Sequence, residues 1–155
     1  MISNGVTCWT GGLALIALTI AIHSIALVYF ALLLVWLRKR CVRSNLSHRS
    51  TVWFVILAIA VAGAALASLH AAETAIWAVT YLSVGAMASW TDAVLYSIDS
   101  MTTRGASGLE VAEEWRLMGA LEASDGMLLF GISTAFLFAV LRQLSPMLTG
   151  DDGTN

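Results

Sequence analysis

Ionisable residues embedded in apolar sequence are where this chain could do chemistry. Arg104 stands in Thr102-Thr103-Arg104-Gly105-Ala106-Ser107-Gly108, a run of hydroxyl, small and glycine residues. Asp99 precedes it by five positions, and Glu122 and Asp125 lie three apart, on one face of a helix. A lone charge at membrane depth is very costly, whereas a hydrogen-bonded ion pair is tolerable. His70 and Glu73 are also three apart. Two such residues suit a hydrogen-bonded pair at a helix interface, and lacking a third ligand they make a poor metal site. His23 is the sole ionisable group of its apolar run. It reads as a neutral histidine against a neighbouring helix, with a proton or ligand role as the alternative. There is no nucleophile–base pairing, phosphate loop or metal ligand set, so no enzyme is expected. Cys8 and Cys41 fit no disulfide framework.

The elements that must position these residues follow from composition. The chain has 155 residues, 59% hydrophobic and 12% charged, with mean hydropathy +0.82. A soluble domain carries about 25% charged residues. Half that leaves too little polar surface to face water, so an all-α integral membrane protein is predicted. The lipid bilayer is the first expected partner.

Residues 13–37 form an uncharged run long enough to cross the ~30 Å hydrocarbon layer. No basic residue precedes it and no small-x-small cleavage site follows, so it reads as a span, not a signal peptide. Arg38, Lys39, Arg40, Arg43 and Arg49 come next. Such a cluster is the usual flank of a span, not a nucleic-acid site. By the positive-inside rule it lies in the cytoplasm, with the N-terminus outside. Cys8 and Cys41 would then sit on opposite sides of the bilayer. A second apolar run starts at Thr51, with Ser50 or Thr51 as N-cap. As one helix over 51–88 it would be about 57 Å long; it either projects from the bilayer or bends near Gly63 or Gly85. A third span covers 115–144, closed by Arg142. Glu110, Glu113 and Glu114 make the opposite loop acidic. Three spans with the C-terminus cytoplasmic satisfy all these clusters. Trp36, Trp53, Trp90 and Trp115 fall near span ends, where interfacial belts form. The tail after Pro146 is polar and expected to lack order.

Between the second and third spans, Trp90 begins a helix of about twelve residues, capped by Ser89 or Thr91 with Asp92 in the first turn. It is too short to span, and both flanks are outside. A re-entrant half-helix followed by an extended loop is the natural solution, tolerated only where protein or water covers the loop.

At this segment the chain resembles the small bacterial pore-loop potassium channels. Their Thr-Thr-Val-Gly-Tyr-Gly-Asp filter aligns with Thr102, Thr103, Arg104, Gly105, Ala106, Ser107 and Gly108. Tyr96-Ser97-Ile98-Asp99 is similar to the aromatic-Ser-Val-Glu before that filter. Gly126, four residues before Phe130-Gly131, is similar to the hinge glycine of the inner helix. The likeness covers about residues 70–143. With the apolar runs and charge clusters it gives an N-terminal span and basic loop over 1–50, a pore module over 51–144 and a polar tail over 145–155. Within the module it implies an outer helix at 51–88, a pore helix at 91–102, a filter-like loop at 103–108 and an inner helix at 115–144. A homotetramer in the bacterial plasma membrane is implied, holding monovalent ions in its filter and no other cofactor. Backbone carbonyls would replace the ion's water shell.

Arg104, Ala106 and Ser107 stand where the family has valine, tyrosine and glycine. In the family that valine points behind the filter, toward the pore helix. The expectation is therefore an Arg104–Asp99 ion pair, with Asp125 or Glu122 assisting; the alternatives are an arginine facing the axis or a loop unlike a filter. Asp125 could otherwise line the cavity and attract cations. The implied function is a monovalent-cation channel of altered selectivity, or a non-conducting scaffold or sensory subunit of the same fold. Inverted repeats typical of many transporters are absent.

Overall fold

A computed structural model describes residues 2–44, 47–105 and 108–149. Ala106, Ser107 and the last six residues of the tail lie outside the described residues. Most of the described residues are helical, and none of them forms a strand. In chain order they form α1 (Ile2–Arg43), α2 (His48–Ser83), α3 (Trp90–Met101), α4 (Arg116–Leu144) and α5 (Pro146–Thr149), with a 3-10 turn at Glu113–Trp115 leading into α4. The sole proline is Pro146, so nothing removes a backbone donor inside the four longer helices.

Three helical stretches are long and apolar enough to cross a membrane: Cys8–Cys41, His48–Ser83 and Glu113–Leu148. Only 17–22% of the apolar window in each is buried within the chain. Ile25, Val28, Tyr29 and Leu32 on α1, Leu57 on α2 and Phe138 on α4 are all exposed. Water does not tolerate contiguous apolar surface on that scale. The chain is a multi-pass membrane protein by length and composition of its helices.

Helix ends differ from the sequence expectation at three places. Helix α2 starts at His48, because the Ser47 hydroxyl accepts from the Ser50 amide at 3.4 Å and so caps the helix in place of Ser50 or Thr51. The same helix stops at Ser83, short of 88. Gly85 has φ +71°, and two amides fold back: Ala86 to the Tyr81 carbonyl (2.9 Å) and Gly85 to that of Leu82 (3.1 Å). This is a Schellman ending, for which glycine is suited. The break therefore falls at Gly85, while Gly63 lies within continuous helix. The tail also begins as structure: Pro146 opens the turn α5, where its missing N–H costs nothing.

The chain divides into two compact units. The first, Met1–His23 with Leu69–Gly131, contains α3 and a core of Cys8, Trp77, Tyr81, Met101, Met118 and Leu129. The second, built from 24–68 and from 132 onward, centres on Leu34, Val55, Val140 and Leu144. Met147 and Leu148 pack on that second core, which orders the start of the tail. Both cysteines are free; Cys8 is buried and donates to the Glu114 carbonyl at 3.1 Å.

Candidate functional site

The chemistry-bearing residues gather in the first unit. Helix α3 starts at its Ser89 cap, whose hydroxyl accepts from the Asp92 amide at 3.4 Å. It ends in a second Schellman turn: Arg104 N–H to the Asp99 carbonyl (3.0 Å) and Thr103 N–H to that of Ser100 (2.9 Å). Here the left-handed position belongs to Thr103, at φ +54°. A β-branched residue is disfavoured there by roughly 1–2 kcal/mol. Thr102 donates its hydroxyl to the Ile98 carbonyl at 2.6 Å. Gly105 and Gly108 follow at φ +59° and +68°, a geometry that glycine adopts freely.

Arg104 is tied to Asp99 twice. Besides the backbone bond, its Nε donates to Asp99 Oδ1 at 2.5 Å. The Asp99 side chain is 4% exposed and that of Arg104 60%. The buried carboxylate thus gains a charge-assisted partner, while much of the guanidinium stays accessible. Beside this turn, Tyr96, Asp99, Ser100, Gly105 and Gly119 line part of a cavity of about 370 Å³.

Glu122 and Asp125 are fully buried, but their recorded bonds go elsewhere than to Arg104. Glu122 Oε2 accepts from the Tyr81 hydroxyl at 2.8 Å. Asp125 Oδ2 accepts from Thr19 at 2.7 Å and from the Trp77 indole at 3.0 Å. The expected assistance to Arg104 from these two acids is replaced by bonds to α1 and α2. His23 Nδ1 meets Glu73 Oε1 at 2.8 Å, and His70 Nδ1 lies 3.1 Å from Glu73 Oε2.

Sequence reasoning did not connect Thr19, Trp77 and Tyr81 to these acids. The signal was present in the spacing. Thr19 and His23 are four apart on α1; Glu73, Trp77 and Tyr81 are four apart on α2; Glu122 and Asp125 are three apart on α4. Each set lines one helical face.

Glycines let the elements meet. A Cβ on Gly126 would stand 2.7 Å from Met101 Cα and also strike the Met101 carbonyl oxygen. A methyl group there cannot coexist with the last residue of α3. Gly126, a hinge by the resemblance, sits at this close contact, and α4 is helical through it. Gly119 makes similar room for the Tyr96 ring and hydroxyl, and Gly12 for Leu121.

What the fold and site define together is an all-helical, multi-pass membrane protein with a short polar-tipped helix packed on its third span. No protein-family model, curated protein or solved structure matches the chain.

Proposed function

We propose that this chain is the pore-forming subunit of an ion channel of the potassium-channel superfamily with a non-standard filter. In this reading four copies surround an axis in the bacterial plasma membrane, N-termini outside, passing monovalent cations with altered selectivity. The observation that carries it is α3 with its exit. A 12-residue helix, too short to span, sits between two long apolar helices and ends in an irregular loop with Thr103, Gly105 and Gly108 at positive φ. Such backbone at membrane depth belongs where protein buries it or water lines it. The Arg104–Asp99 bond supports a loop braced from behind by its own helix.

The competing reading is a non-conducting scaffold or sensory subunit. It is favoured by the exposure of Arg104, 60%: four such guanidiniums near one axis would repel cations. Flux from purified protein in liposomes separates the two. The channel reading expects potassium or sodium flux that changes in cation preference with Arg104→Val. Absence of flux for potassium, sodium and chloride alike would leave the scaffold.

A further inference from the structure

We propose that His23, His70 and Glu73 form a binding site for a divalent transition-metal ion, zinc above all, independent of whether the chain conducts.

Four observations support the site. The first is geometry. One atom from each residue can be chosen so that all lie within 4.8 Å of one another, and the two histidine Nδ1 atoms approach the two oxygens of one carboxylate at 2.8 and 3.1 Å. Tetrahedral zinc with bonds near 2.0–2.1 Å separates its donors by about 3.3 Å. To admit the ion the two nitrogen–oxygen approaches would spread by a few tenths of an ångström, and any donor pair near the 4.8 Å limit would close up. The His70 approach is at ion-pair distance and is not aligned as a hydrogen bond.

The second is charge. Glu73 and Asp125 are fully buried. Among the described residues no lysine or arginine pairs with either acid. One divalent ion held by two neutral imidazoles would offset both carboxylates, the first as ligand and the second from the outer shell. Buried charge of one sign is otherwise expensive.

The third is the donor set. Two imidazoles and a carboxylate suit zinc and its neighbours among the transition metals, whereas calcium and magnesium require more oxygen ligands. Three protein donors leave a fourth position open.

The fourth is support and access. His70 stacks on Phe130, ring centroids 4.2 Å apart, which fixes its plane. Its side chain is 12% exposed and borders a cavity of about 260 Å³ lined also by Thr74, Met101 and Thr102. An ion could arrive there, and a water or a small anion could complete its shell. Neither the spacing of His70 and Glu73 nor the isolated position of His23 discloses the triad; α1 supplies the ligand that the pair lacks.

The test uses the full chain in detergent, with any affinity tag removed, stripped by chelator and titrated with cobalt(II), whose visible absorption reports a low-symmetry nitrogen–oxygen site. The expected result is one equivalent of cobalt per chain, displaced by zinc, with a raised melting temperature. His70→Ala and Glu73→Gln should each weaken binding beyond the ~10–100-fold typical of outer-shell losses, and His48→Ala should leave it unchanged. Should His70→Ala fail to fold, Glu73→Gln, which keeps shape and an acceptor oxygen, carries the comparison. A titration without colour, or binding that survives both ligand variants, overturns the site and leaves a His–Glu–His cluster that holds no ion.

Discussion

At the scale of single residues, the most informative contact is that of Arg104 with Asp99. Burial falls on the carboxylate alone, since Asp99 is 4% exposed and Arg104 60%. Removing the arginine should therefore hurt through the acid it leaves behind. Arg104→Ala is expected to cost about 1–3 kcal/mol, below the ~3–5 kcal/mol of a wholly buried pair. A double-mutant cycle with Asp99→Ala, read by unfolding in detergent, would show the coupling; additive single effects would refute it. Thr103 gives the opposite sign. It holds a left-handed position at φ +54°, so Thr103→Gly should stabilise the chain by about 1 kcal/mol in the same assay. The ion pair was expected from the filter resemblance, which turns the side chain at Arg104 toward the short helix that carries Asp99. The left-handed threonine was not, since the position normally draws glycine and nothing in the run marks the substitution. Nor was the failure of Glu122 and Asp125 to reach Arg104. Their donors, Tyr81, Trp77 and Thr19, come from two other helices, and one-dimensional spacing does not say which faces will meet.

Among the elements, the fit of α3 against α4 rests on a glycine. Gly126→Ala must displace backbone at Met101, with no side chain able to yield. The expected loss is of the order of the 1–3 kcal/mol that overpacking costs. Gly63→Ala is the matched control: open space surrounds that position, and alanine should be neutral or gain up to ~1 kcal/mol of helix propensity. Comparable melting temperatures for the two variants would contradict the packing account. Tyr81→Phe belongs at this scale too, because it cuts a tie between α2 and α4. Leaving Glu122 Oε2 without its donor should cost about 1–3 kcal/mol. The three long helices were plain from apolar run length alone. Helix ends were less so, because caps depend on backbone angles: Ser47 displaced Ser50 and Thr51 as the start of α2, and Gly85 stopped it at Ser83. The tail illustrates the same limit, as two apolar residues, Met147 and Leu148, were enough to hold α5 on a core.

For the whole molecule, the apolar faces of the long helices decide what surrounds the chain. With at most 22% of each apolar window buried internally, they need lipid or further copies of the chain. The charge clusters predict an orientation. If the basic connection after α1 is cytoplasmic, a cysteine placed at Arg49 should react with membrane-impermeant thiol reagents only from inside, and one at Glu113 only from outside. Labelling both from one side would reverse the topology argument. The assembly reading is checked by crosslinking in membranes, where a ladder ending at four chains is expected.

The contact between Gly126 and Met101 has a mechanical consequence. It joins main chain to main chain, so no rotamer change can absorb a displacement. A shift of α4 at that point would press on Met101, the residue immediately preceding Thr102, where the loop begins. A force on the third span, from bilayer tension or thickness, would thus be felt at the loop. Spin labels on α4 and near Gly108, compared in thin and thick bilayers, should shift together in the native chain and fall out of step in Gly126→Ala.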